Sequence, residues 1–292
     1  MSAHPFKHMK RSFFFSAVIL ATAHSLCAQS AWLPQRGQLI TTPGYSYQTF
    51  DEYFAAKTRS QLPANLTQHT AFLNFEYGIF RDVAADLTLG YSRTRFRPPG
   101  SPTLHSDGLT DTQVGLRIRV LDEQTGGPWM PTVTFRVGGV IAGTYDVVFA
   151  SPINPGDGAN AFELSLLTGK TFGKSGFGIY ADIGYRSRDN DVPDDVFGRV
   201  GVFQQLGPVT LGVGYRHVEG ISGGDIGGLG FGTTYGFAQV REIERVIDAA
   251  ITYTDRGGRG YQFTYSRTLS GRNTGDKSDF GFSISVPWQL GR

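Results

Sequence analysis

The feature that most constrains this chain is a period-two alternation of apolar and polar residues, repeated along its length. Leu73, Phe75, Tyr77 and Ile79 share one face of a segment, with Asn74, Glu76 and Gly78 on the other. The same pattern recurs in Leu87–Tyr91, Val114–Val120, Val133–Val137, Phe162–Leu166, Ile179–Tyr185, Val209–Tyr215, Tyr261–Tyr265 and Phe280–Val286. Alternation of this kind puts every second side chain on one face of a β-strand. The connections alternate too. Arg81–Ala84, Asp122–Trp129, Gly173–Gly176, Gly207–Pro208 and Asp255–Gly258 are mostly short, while Asp51–Thr67, Arg97–Leu109, Gly143–Gly158, Arg188–Asp194, Glu219–Ala238 and Gly271–Ser278 are mostly longer.

A soluble β-sandwich also alternates, with its apolar face inward. Here the polar face carries glycines and ionisable groups, as a wet lumen would. Connections that are alternately mostly short and mostly longer, with an even strand count, predict an all-β fold: a single antiparallel up-and-down transmembrane β-barrel of about 12 strands. The strands are expected to start near residues 37, 68, 85, 110, 131, 159, 176, 195, 208, 239, 259 and 279, with both ends of the barrel domain, 29–292, on the short-turn side. The segment from 195 is weak, although Val196, Val200 and Val202 share a face. The segment from 239 is the least regular, with Arg245 on the lipid side, and Gln239–Val246 reads alternatively as a short helix or loop. A mean hydropathy of −0.19 does not oppose a barrel, since only alternate residues meet lipid. A net charge of +2 gives no bulk reason to bind nucleic acid.

Residues 1–28 read as a signal peptide. Lys7, Lys10 and Arg11 precede an apolar run from Ser12 to Ala23, too short to span a bilayer as a helix, and Ala28 offers a cleavage point. Export through the inner membrane and residence in a bacterial outer membrane follow as expectations, with barrel-assembly machinery a partner during biogenesis. Cys27 fits a lipidation site poorly, because Leu26 stands where a small residue is needed. Cleavage after Ala28 leaves no cysteine, so stability must come from closure of the sheet.

Several short segments carry a family likeness: Gly156-Asp157-Gly158-Ala159-Asn160, Gly169-Lys170, Gly184-Tyr185-Arg186-Ser187-Arg188, Pro193-Asp194, and Gly271-Arg272-Asn273-Thr274-Gly275 ahead of a last amphipathic strand. Over about residues 85–290 the chain resembles Gram-negative outer-membrane barrel transporters related to the phenol-degradation (meta-pathway) channel group. The resemblance implies passage of small molecules, hydrophobic or aromatic ones among them, and carries over no catalytic residue. The chain departs from barrels that end on an aromatic residue: Trp288 is followed by four more residues.

Alternation assigns to the lumen Glu76, Asp86, Arg117, Arg119, Arg136, Glu163, Asp182, Arg186, Arg199, Arg216, Glu242, Glu244 and Asp248. Such charges either select solutes or brace the lumen as ion pairs. Arg117, Arg119 and Arg136 form the densest positive patch, expected to face Glu163 and Asp182 across a charge-separated pore. Tyr77, Tyr91, Tyr185, Tyr215, Tyr253, Tyr265 and Trp288 are expected in aromatic girdles among lipid and lipopolysaccharide. A barrel plugged by its own side chains is the alternative to a channel. An outer-membrane lipid hydrolase is a further one, built on His69, His105 or His217 with a serine such as Ser92. No cofactor or metal site is expected: Asp107, Asp111 and Asp157 lack calcium-loop spacing and read as solvated turns. Gly228–Gly232 reads as a flexible outer loop rather than a nucleotide site, and the sequon Asn65-Leu66-Thr67 as idle.

Overall fold

The computed structural model describes residues 30–145 and 153–290. The proposed signal peptide and Cys27 lie outside the described residues. Fourteen strands form one antiparallel sheet. They are β1 (Gln38–Ala55), β2 (Thr58–Phe80), β3 (Val83–Phe96), β4 (Leu104–Leu109), β5 (Thr112–Leu121), β6 (Thr132–Ile141), β7 (Ala161–Phe172), β8 (Phe177–Arg188), β9 (Asp195–Leu206), β10 (Val209–Gly220), β11 (Ile243–Thr254), β12 (Gly260–Arg272), β13 (Thr274–Gly275) and β14 (Ser278–Gln289).

Two of these are continuations. β3 pairs with β5 along its first half and with β4 along its second, so β4 and β5 make one barrel staple broken at Thr110 and Asp111. β13 and β14 both pair with β1. Pairing of β1 with β14 closes a barrel of twelve staves, in register from Gln38↔Gln289 to Thr49↔Ser278. Closure satisfies the backbone groups that an open sheet would leave at its edges.

The outside is apolar. Leu116, Ile118, Phe135, Val137, Ile183, Val200, Val213, Ile251 and Phe263 all stand exposed on it. A belt of this extent is expected only where hydrocarbon covers it. The outward aromatics sort by the strand direction. Tyr77, Tyr253 and Trp288 lie toward the short-turn end, and Tyr45, Tyr91, Tyr185, Tyr215 and Tyr265 toward the long-loop half.

The staves match the sequence expectation, including the two in doubt: β9 is regular, and β11 is a strand from Ile243 onward. Its apparent irregularity lies in the residues rather than the period: Arg245 stands on the exposed face and Val246 is buried on the inner one, and the register shift beside them places the extra residue, Leu269, on β12. Only Phe237–Gln239 beside it is helical, as a single 3₁₀ turn. Three connections differ from expectation. Asp51–Thr67 is not a loop: β1 and β2 run on past the barrel as a hairpin that turns at Ala56 and Lys57. Within Arg97–Leu109, the stretch Leu104–Leu109 is strand, which places His105 in the sheet rather than in a loop. The Gly228–Gly232 segment is tied into the mouth by contacts described below.

Candidate functional site

The inward face carries a chain of ion pairs across neighbouring strands. Glu76 on β2 accepts from Arg117 on β5 at 2.5 Å. Arg117 lies 4.0 Å from Asp86 on β3, which accepts from Arg136 on β6 at 2.8 Å. Arg136 also donates to Glu163 on β7 at 2.6 Å, and Glu163 accepts from Arg186 on β8 at 3.2 Å. Arg186 reaches Asp195 on β9 at 3.8 Å, and Arg188 pairs with the same carboxylate. Acid and base therefore interleave along the wall. Arg117 and Arg136 are buried, as are Glu76, Asp86 and Glu163. Charges held out of water in this way need their partners.

The remaining sequence-assigned residues form smaller groups. Asp182 pairs with Arg199 at 3.0 Å. Arg216 stands 3.7 Å from Glu244 and 3.8 Å from Asp248. Glu242 precedes β11 rather than lying in it, and approaches Lys277 at 3.8 Å. Arg119 does not join Arg117 and Arg136. It sits at the short-turn end on Asp82 (2.8 Å) and Asp122 (3.3 Å), so the expected three-arginine patch does not exist. Nor are the charges separated across the lumen; each arginine is matched locally.

Two sizeable cavities among the described residues open in the interior. One, of about 460 Å³, lies at the long-loop mouth, with Phe50, Leu62, Leu66, Phe231, Phe237 and Val240 as its apolar wall and Arg188, Asp195 and Lys277 among its ionic groups. The second, of about 540 Å³, lies deeper and is lined by Glu163, Asp182, Arg199, Arg216, Asp248 and Asp279 among others. Gln48, Gln68, Pro155, Val218 and Lys277 line both, so the two are adjoining spaces.

Both ends are shaped by segments that alternation does not reveal. At the mouth, Asn273 ties three pieces together. Its side-chain oxygen accepts from the Ala56 amide (2.9 Å) and the Ile226 amide (3.0 Å). Its nitrogen donates to Asp225 (2.9 Å) and to the Arg241 carbonyl (2.7 Å). Arg272 grips Asp225 with two bonds, 2.7 and 2.6 Å. That hold, first from Arg272 and then from Asn273, keeps the Asp225 carboxyl below the usual aspartate range. The outer loop is thus anchored, with Phe231, Tyr235 and Phe237 clustered edge to face inside it.

At the short-turn end, residues 30–37 cross the lumen. Gln35 lies against Gly78 on β2, while Trp32 packs edge-on against Phe203 on β9 at 5.8 Å. These two strands stand on opposite sides of the twelve-stave ring. Trp32 donates to Glu123 at 2.8 Å, Thr134 to the Ala31 carbonyl at 2.6 Å, and Arg117 to the Ser30 carbonyl at 3.1 Å. Gly169 makes room for the Trp32 ring: a Cβ there would lie 2.5 Å from it. Gly178 does the same for Phe203. Inward glycines thus accommodate side chains laid against the wall, aromatic rings at Gly169 and Gly178 and the Arg136 guanidinium at Gly115 and Gly138, rather than simply enlarging a wet lumen.

Sequence reasoning also missed Asp111, Asp195, Lys277 and Asp279. Parity pointed to Asp279, which precedes the outward Phe280. Asp111 is not a solvated turn: it accepts from the Gly143 amide (3.0 Å) and the Tyr145 hydroxyl (2.7 Å). Burial, and then this bond, push the Tyr145 phenol well above its usual range, so it stays a donor. Asp157 faces Arg188 at 3.7 Å, and Asp107 accepts from Tyr91 at 2.6 Å. The hydrolase pairing fails on geometry. Ser92 is buried inside and bonds Thr70 and the His69 carbonyl, whereas the His69 ring is outside, 2.5 Å from the Tyr45 hydroxyl. No cluster of metal-ligating side chains occurs among the described residues.

A closed ring of twelve antiparallel staves, apolar outside and ionic inside, defines a transmembrane β-barrel. Among solved structures the fold is similar to that of the COG4313 outer membrane channel from Pseudomonas putida F1, with a TM-score of 0.73 at 13% identity, over 90% of this chain and 100% of that one. The translocator domain of autotransporter NalP from Neisseria meningitidis aligns at a TM-score of 0.49 and 11% identity, over 88% and 90% of the two chains. No family model and no curated protein matches the chain.

Proposed function

We propose that this protein is an outer-membrane channel for small solutes, with apolar or aromatic molecules among those it admits. The observation that carries this reading is the pair of adjoining cavities leading from the long-loop mouth into the barrel. On this reading the long loops face outward and the short turns face the periplasm. The mouth offers an apolar wall to a ring or chain, and the deeper cavity offers fixed charge to a polar group. The fold shared with a named outer-membrane channel supports the same reading. Residues 30–37 would set the narrowest section, and the arginine–carboxylate pairs would hold the wall open around it.

The test is solute flux into liposomes containing the purified, folded protein. Swelling in small sugars and in aromatic acids, absent from empty liposomes, is the expected result. Absence of flux for every solute, with folding verified, would replace this reading with that of a barrel filled by its own side chains and N-terminal segment.

A further inference from the structure

One strongly charged surface lies outside the lumen altogether. On β3 the outward positions run Leu87, Leu89, Tyr91, Arg93 and Arg95, followed past the strand end by the exposed Arg97. The face changes from apolar to aromatic to basic within a few residues. At about 3.3 Å per residue and a tilt near 40°, each step of two residues climbs about 5 Å, so the arginines stand roughly 5, 10 and 15 Å above Tyr91. Tyr91 belongs to the aromatic row toward the long loops, and such rows mark the level of lipid headgroups. The arginines therefore occupy the height at which headgroup phosphates lie.

Their neighbours extend the patch sideways. Arg93 is flanked by His69 on β2 and Asp107 on β4, and Arg95 by Thr67 and His105. His69, Arg93, Arg95, His105 and Asp107 are all exposed. The carboxylate of Asp107 is taken by the Tyr91 hydroxyl at 2.6 Å. Arg93, Arg95 and Arg97 make no ion pair among the described residues. That sets them apart from the arginines of the lumen, each of which is matched. Elsewhere on the ring, among the described residues, the comparable positions hold at most a single arginine outside an ion pair, Arg245 on β11, which donates to Ser270 at 3.3 Å. Beyond Tyr185 the next outward residue is Ser187; beyond Tyr215 it is His217, which faces Glu219 at 3.3 Å. Beyond Tyr265 it is Arg267, neutralised by Asp276 at 2.8 Å. An unmatched triple of guanidiniums just above a girdle is what binding of phosphate oxygens calls for, since each fork can hold two of them.

We propose that the outward face of β3 and β4 above Tyr91 binds the phosphates of a phosphorylated glycolipid in the outer leaflet, of the lipid A type. This inference rests on the outer-membrane reading above but not on transport, so the two fail separately. The test compares the full-length folded protein with an Arg93→Gln/Arg95→Gln/Arg97→Gln variant for binding of bisphosphorylated lipid A in detergent, by native mass spectrometry. Unchanged heat-modifiable gel mobility checks that the variant is folded. Binding to the wild type is expected to weaken about 100-fold in the variant, roughly fivefold per charge removed. Lipid A lacking its phosphates should bind the wild type no better than it binds the variant, and inorganic phosphate exchanged for chloride at constant ionic strength should leave the lipid bound. Rising salt should weaken lipid A binding to the wild type, an arm that needs no variant. Equal binding by wild type and variant would overturn the proposal. So would insensitivity to salt, equal binding of the dephosphorylated lipid or of phosphatidylglycerol, or displacement by inorganic phosphate at constant ionic strength.

Discussion

Asn273 concentrates more of the mouth's architecture than any other single side chain described here. It adopts a left-handed backbone, φ 53°, which asparagine tolerates better than most residues. From there it serves the β1–β2 hairpin tip and the outer loop together. Asn273→Ala is expected to lower hydrogen-exchange protection of the Ala56 and Ile226 amides by about tenfold, the equivalent of one to two lost hydrogen bonds. Unchanged protection would show that the loop is held by other contacts. Asp225 adds a pH dependence. Because its folded pKa is depressed, its contribution is complete above about pH 4 and is lost as the pH falls through the lower folded value. Protection at Ile226 should therefore be constant from neutral pH to about pH 5 and drop in stronger acid. The Gly271–Gly275 segment stood out in the sequence as a family likeness. Its part in tying separate loops did not, because no local pattern encodes contacts to residues 47 or 217 positions away.

At the scale of elements, the staves were legible because lipid imposes apolarity on every second residue. Legibility failed where that pressure stops. Residues 51–67 looked like a loop because the hairpin there projects beyond the barrel and no longer needs an apolar outer face. A register shift between Phe50 and Glu52 further breaks the period. Lumen parity was equally readable, but partner choice was not. Alternation says that Arg117 and Arg136 point inward, and only the register says that each meets one carboxylate from an adjacent strand and one from a strand further on. Arg119 had the right parity and the wrong height. Arg136 is the central link, and Arg136→Met would leave buried Asp86 with Arg117 at 4.0 Å, and buried Glu163 with the partly exposed Arg186 at 3.2 Å, as the remaining ion-pair partners. A loss of about 3–5 kcal/mol in urea unfolding from liposomes is expected, the magnitude for removing one partner of a buried pair. A loss under about 1 kcal/mol would mean that water reaches these carboxylates freely.

Over the whole molecule, the lumen is richer in acid than in base. Asp111 and Asp279 line the deeper cavity with no cation in ion-pair range among the described residues, beyond the carboxylates that arginines already match. A cation-over-anion preference in reversal-potential measurements follows, and Asp111→Asn/Asp279→Asn should reduce it. An anion preference in the wild type would contradict this charge map. Composition and periodicity foretold the barrel but not its interior. The lining depends on Trp32 and its neighbours, whose segment carries no strand pattern and whose position inside the ring is set by contacts with Gly169, Phe203 and Glu123.

The most direct test is conductance in planar bilayers of the whole barrel beside one lacking residues 30–36. A small, steady conductance in the first and a distinctly larger one in the second is the predicted result, since the segment crosses the barrel at its short-turn end. Absence of conductance in both, with folding verified, would contradict it: the cavities would then not join into a path, and the protein would not be a channel.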